Sequence, residues 1–211
     1  MKPVSDFGTA LIIFVIAVML FAVGLILWKP HKKSKFRFIR LSIGNLLIHL
    51  MDGLITFVNT PDLAMEGNPL VSKLGLGWGA LFTANLISFL LIVLMTWYFC
   101  KYDHERIPSK NAYDYYMKLF YGENYKRSWF WFKLSKNHRS KLAMYSCCLY
   151  YGMTAGAPGY VIGWIFSMLD CAPSWWSNTW SPIIIAVAVA YGCILKWVWD
   201  GYKLSRVQSS V

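Results

Sequence analysis

The chain has 211 residues, of which 57% are hydrophobic, 18% aromatic and 15% charged, with a formal net charge of +11. A soluble domain carries about 25% charged residues, so this composition excludes an ordinary soluble globule. Apolar runs recur along the whole sequence and point to an all-α, polytopic transmembrane helical bundle in a single domain, residues 1–211. Lys and Arg concentrate in the cytoplasmic loops of such proteins, so the positive charge predicts no nucleic-acid partner.

Five spans are expected in chain order, at about 8–28, 41–59, 78–99, 147–169 and 182–199. The first is too long for a signal-peptide core and lacks a small-residue cleavage site, so it reads as an anchor. The first connection holds Lys29, Lys32, Lys33, Lys35, Arg37 and Arg40, whereas the opposite side offers Lys2 and Lys73. That imbalance places the N-terminus outside and the C-terminus in the cytoplasm. Trp28, Trp78, Trp97, Trp180 and Trp199 fall near predicted span ends, where an amphipathic ring prefers the headgroup region. Cys100, Cys147, Cys148, Cys171 and Cys193 show neither C-x-x-C nor zinc-type spacing and are expected to be free thiols.

The second span carries Ser42, Asn45, His49, Asp52, Thr56 and Asn59 at spacings of three and four. Residues so spaced share one helix face. A carboxylate near the centre of a transmembrane helix costs about 2.5–3.5 kcal/mol on insertion scales, so Asp52 must face the bundle or a wet cavity. His49, one turn before it, is within reach as an i, i+3 neighbour, and an aspartate can fix a histidine tautomer or share its proton. Ser42, Asn45 and Thr56 also suit hydrogen bonds that join helices.

The next connection contains Thr60-Pro61 and Asn68-Pro69, each a capping residue before proline and each the signature of a helix start. Folded back toward the bundle, it would bring Glu66 or Asn68 above Asn59 and Thr56. The candidate substrate- or ion-binding set is therefore Asp52, His49, Thr56, Asn59, Glu66 and Asn68. If a metal binds, its ligands are His49, Asp52 and Glu66. In the third span Asn85 and Ser88 are further candidate ligands or packing contacts.

The connection 100–146 is basic and aromatic, with "YDYYMKLFYGENYKRSWFWF" at 113–132 and a basic stretch to Lys141. Such mixing suits contact of residues 113–141 with the headgroups of an anionic inner leaflet. In the fourth span Gly152, Gly156, Gly159 and Gly163 lie on one face, beside Pro158. Small residues at this spacing predict a close helix crossing. That crossing would press the second span's polar stripe against carbonyls freed by the proline.

Asp52-x3-Thr56 followed by Glu66-x-Asn68-Pro69 resembles the D-x3-T … E-x-N-P signature of a family of small, uncharacterised prokaryotic membrane proteins, over about residues 41–99. The resemblance implies that Asp52, Thr56, Glu66, Asn68 and Pro69 form a unit, in a multi-pass protein of a prokaryotic cytoplasmic membrane. His49 stands outside that signature. Neither the residues nor the resemblance names a cofactor or a catalytic residue. Three functions follow: binding or conducting a cation or proton at the polar stripe, a non-catalytic subunit or scaffold of a larger or homo-oligomeric membrane complex, and an intramembrane metal-dependent hydrolase. The third lacks H-E-x-x-H and G-x-S-x-G.

Overall fold

The computed structural model describes residues 6–28, 35–64, 71, 73–129, 135–177 and 180–206, and no strand occurs among them. The helices are α1 (Asp6–Leu27), α2 (Lys35–Asn59), α3 (Trp78–Lys101), α4 (Ala112–Tyr121), α5 (His138–Leu169) and α6 (Trp180–Arg206). Within α1, α2, α3 and α6, the stretches Phe7–Leu27, Phe36–Asn59, Trp78–Lys101 and Trp180–Arg206 are long and apolar enough to cross a membrane. They are compatible with a multi-pass integral membrane protein. The fourth expected span, 147–169, lies in α5, which carries no Asp, Glu, Lys or Arg from Leu142 to Leu169 but is less apolar than the others. Ten of its thirteen buried positions are Gly, Ala, Ser, Thr or Tyr, which suits a helix surrounded by helices rather than by lipid.

Three helices overrun their expected bounds at the end rich in Lys and Arg. The second starts at Lys35 instead of 41, the fourth expected span at His138 instead of 147, and the last runs to Arg206 instead of 199. A basic residue ends an apolar run without ending a helix. Asn137 caps α5, its side chain accepting from the Ser140 amide at 3.1 Å. At 32 residues, α5 is about 48 Å long, well beyond a hydrocarbon core of roughly 30 Å.

Helix α5 sits at the centre and packs on α2, α3, α4 and α6, while α2 bridges it to α1. Leu41, Ile48, Met51 and Ile55 of α2 meet Val15, Met19 and Ala22 of α1 and Tyr150, Ala157 and Val161 of α5 in one apolar core. A Cβ on Gly44 would lie 2.7 Å from the Ile26 side chain and 3.2 Å from the Ala22 carbonyl, so α1 and α2 cross closely. The Arg40 guanidinium donates to the Trp28 carbonyl, placing a cation at the carbonyl end of α1, where the helix dipole favours it.

The glycine face of α5 meets α6 and not α2. A Cβ on Gly152 would stand 3.0 Å from the Ala186 carbonyl, one on Gly156 3.2 Å from the Ala186 Cβ, and one on Gly159 3.0 Å from Pro182. Gly163 is buried on the same helix. The expectation that this glycine crossing presses the polar stripe of α2 against carbonyls of α5 is corrected: the helix that meets the glycines is α6. Pro182, Ala186 and Ala190 form their own small-residue row on α6, and the two rows fit one another.

Beyond the spans, α4 folds into a second apolar core with Met144 and Cys148 of α5 and Trp197, Val198 and Tyr202 of α6. Tyr115, Phe120 and Tyr121, offered by the sequence to the headgroup layer, lie buried inside this core. Asn111 caps α4 by accepting from the Asp114 amide at 2.8 Å. The Asp114 carboxylate in turn accepts from the Lys110 amide and the Tyr125 hydroxyl, both at 2.8 Å. Burial pushes its pKa up, but these two hydrogen bonds and the charges of Lys118 and Lys110 more than reverse that, so it ends below its ordinary value. The Tyr202 hydroxyl donates to the Lys110 carbonyl at 3.1 Å, and the Ile107 amide donates to Ser205 at 3.1 Å. Gly201 is fixed by contact, since any Cβ there would overlap the Tyr115 ring.

Gly159→Leu is expected to lower stability by about 1–3 kcal/mol through overpacking. Gly192→Ala, at a position where a Cβ meets nothing within 4 Å, should be neutral or stabilising by up to about 1 kcal/mol through helix propensity. Melting of both variants in mild detergent, followed by tryptophan fluorescence, checks the contrast. A depressed carboxylate stabilises the fold above its unfolded pKa and loses that contribution as pH falls through its folded one. The Asp114 contribution should therefore be intact at neutral pH and lost below about pH 4. Asp114→Asn should lower the neutral melting temperature and flatten the acid limb of the stability profile.

Candidate functional site: a polar seam between α2 and α5

The outward face of α2 is wholly apolar. Ile39, Ile43, Leu46, Leu50 and Phe57 are exposed there, whereas Asn45 and Thr56 are buried and Ser42, His49, Asp52 and Asn59 half-buried. Helical periodicity turns the polar stripe away from this apolar face. Asp52 is half-buried, and it is engaged in a contact rather than standing alone.

Two hydrogen bonds join α2 to α5, one of them from the stripe itself. The Thr154 hydroxyl donates to the Asn45 side-chain oxygen at 3.0 Å, with Asn45 0% exposed. The Tyr150 hydroxyl donates to the Leu41 carbonyl at 2.8 Å. Both link positions on α2 and α5 that advance together, Leu41 with Tyr150 and Asn45 with Thr154, so the helices run parallel and in register. Neither Tyr150 nor Thr154 belongs to the sequence-derived site. Their spacing of four on the helix opposite was the available signal, hidden within a run dominated by glycine and alanine.

The remaining capacity of the stripe is not used up. The Asn45 side-chain amide nitrogen, the His49 Nε2 and the Ser42 hydroxyl are buried and find no hydrogen-bond partner among the described residues. Leaving such a group unsatisfied costs about 1–3 kcal/mol each. Ser42, Asn45 and His49 lie on successive turns, so these atoms form a line of one donor amide, one imidazole nitrogen and one hydroxyl. That chemistry suits water.

At the far end of the stripe Asn59 turns back on its own helix, its amide donating to the Ile55 carbonyl at 2.8 Å. Thr60 donates to Asp62 at 3.2 Å, and the Asp62 carboxylate accepts from the Ala64 amide at 3.1 Å. Leu63 takes a left-handed φ of 60° at this turn and stays buried. The turn is tied to α3, because the Trp78 indole donates to the Pro61 carbonyl at 2.7 Å and stacks edge-on against Phe57. The connection thus folds back on the bundle at Thr60–Ala64. Glu66, Asn68 and Pro69 lie outside the described residues.

Asn85 is exposed on α3, away from the seam, and Ser88 is half-buried. Among the described residues no three His, Cys, Asp or Glu side chains come together to hold a metal. Glu66, the third ligand of the metal reading, is not among those residues. The five cysteines are free thiols. No protein-family model, curated protein or solved structure matches the chain, so the site is read from its own geometry.

Thr154→Val keeps shape but strips the donor from a fully buried acceptor, and about 1–3 kcal/mol of stability should be lost. The double variant Asn45→Leu/Thr154→Val removes both polar partners and should recover part of that loss. A double-mutant cycle by thermal or denaturant unfolding in detergent checks the coupling.

Proposed function

We propose that the chain is a five-span integral membrane protein, N-terminus outside and C-terminus in the cytoplasm, whose seam between α2 and α5 binds and conducts a proton through ordered water. The observation that carries this reading is the line of buried atoms on Ser42, Asn45 and His49 that have no partner among the described residues, leading toward Asp52. Three unsatisfied groups on one face are too costly to leave dry in a bilayer. Water can satisfy all three, and His49 and Asp52 supply groups that bind and release a proton. A dehydrated metal cation fits less well, because the Asn45 nitrogen presents hydrogens rather than a lone pair. The placement in a prokaryotic cytoplasmic membrane rests on the resemblance of Asp52, Thr56, Glu66, Asn68 and Pro69 to the D-x3-T … E-x-N-P signature, and the orientation on the basic connections.

A second reading, a non-catalytic subunit or scaffold, has its own support. Thr154–Asn45 and Tyr150–Leu41 are interhelical hydrogen bonds of the kind that hold bundles together, and α3 exposes Asn85 next to Phe82, Leu86 and Ile87. Proteoliposomes loaded with a pH-sensitive dye separate the two. Under an imposed potential, wild type should acidify or alkalinise the lumen, His49→Ala should slow the change, and Asp52→Asn should abolish it. A wild type that moves no protons leaves the seam as structural glue and favours the subunit role.

A further inference from the structure

We infer that a groove at the basic end of the bundle, between α4 and the start of α5, is a binding site for a phosphate group. It rests on the membrane-spanning reading above and adds a site distinct from the seam. The groove encloses about 550 Å³ and is lined by Lys118, Lys136, Asn137, His138 and Arg139, with Phe120 beneath. Lys118 is committed to the protein. Its ammonium donates to the Pro108 carbonyl at 2.7 Å and lies 3.2 Å from Glu123 and 3.7 Å from Asp114.

Lys136 and Arg139 are exposed, and neither has an acidic partner among the described residues. Glu105, an exposed carboxylate, accepts from Asn137 at 2.8 Å and from Ser140 at 3.0 Å, which ties the segment after α3 to the start of α5. The Lys136 amide is pinned to the Phe120 carbonyl at 3.0 Å. The groove is therefore built by fixed backbone, while two of its charges remain uncommitted. Arg supplies a planar fork of donors that matches phosphate oxygens, and Lys a point charge. The first turn of α5 adds the positive end of a long helix dipole.

Depth in the bilayer points to where the phosphate comes from. The Tyr98 hydroxyl reaches the Arg139 carbonyl at 3.5 Å and the Tyr102 hydroxyl reaches Ser140 at 2.6 Å, so the groove lies just past the last turn of α3. At that same level Lys101 stands 4.0 Å from the Trp97 ring centre, Lys203 5.4 Å from that of Trp199 and Lys141 5.7 Å from that of Tyr145. Tryptophan, tyrosine and lysine together mark the headgroup layer. A lipid phosphodiester would meet the groove there, and a free phosphate could reach it from the water.

Native mass spectrometry of the full chain in mild detergent, with phosphatidylglycerol against phosphatidylcholine, tests the site. Wild type should retain phosphatidylglycerol preferentially. Lys136→Ala/Arg139→Ala should weaken that binding on the order of tenfold or more. Arg139→Lys should retain most of it, and Lys203→Ala should leave it unchanged. If the double variant does not fold, Lys136→Gln and Arg139→Gln are each expected to weaken binding severalfold. A parallel melting series with inorganic phosphate separates the sources: stabilisation of wild type but not of the charge-removed variants assigns the site to free phosphate. Equal retention of the two lipids with no effect of phosphate overturns the inference, as does undiminished binding by the folded variants. A chain released from membranes by alkaline carbonate would instead refute the membrane-spanning reading itself.

Discussion

Three missing side chains set the distance between α5 and α6. With a methyl group at Gly152, Gly156 or Gly159, contacts of 3.0 to 3.2 Å would force the helices apart. Lipid offers no hydrophobic drive for helices to associate, so such close backbone approach supplies much of the attraction. With one side of α5 sealed against α6, its other faces are free to meet α2 and α3. Only a helix enclosed in this way can carry Thr154 and Tyr150 at depth, and only such a partner allows α2 to keep Asn45 fully buried. The polar seam is downstream of an apolar, sterically defined crossing.

The same dependence runs toward the basic end. Helix α5 runs to 32 residues, and its first turns, with Ala143, Met144 and Cys148, provide the surface on which α4 folds. Tyr115 lodges against Gly201, Asp114 gathers its own helix start, and Glu105 ties the segment after α3 to the start of α5. A stretch that composition marks as a solvated or lipid-facing connection becomes a packed layer, with the Lys136 and Arg139 charges on its rim.

Much of the helix framework is legible in the sequence, because runs such as those of α1 and α3 have no other use than burial or lipid contact. The stripe on α2 is legible for a different reason: polar residues at 42, 45, 49, 52, 56 and 59 obey a period that apolar neighbours leave visible. Its partners were harder. Thr154 and Tyr150 sit among glycines and alanines, where no contrast in polarity reveals a face, and a glycine row predicts a close crossing without identifying the helix that meets it. The matching row on α6, Pro182, Ala186 and Ala190, repeats every four residues and is legible in the sequence as a second small-residue face. Helix α4 is ten residues long, too short for an apolar run to betray it, yet Asn111 followed by Asp114 is a helix-start signal.

One consequence concerns synthesis. The carboxamide of Asn45 and the hydroxyl of Thr154 are 109 positions apart in the chain. At ribosomal rates of roughly 5–20 residues per second, about 5 to 20 s separate the emergence of the two. During that interval the second helix must enter the bilayer with its amide unanswered, sheltered by the insertion machinery or by the first and third helices alone. A nascent chain halted before residue 154 would carry that exposed polarity indefinitely, making the half-made protein a natural substrate for membrane quality control.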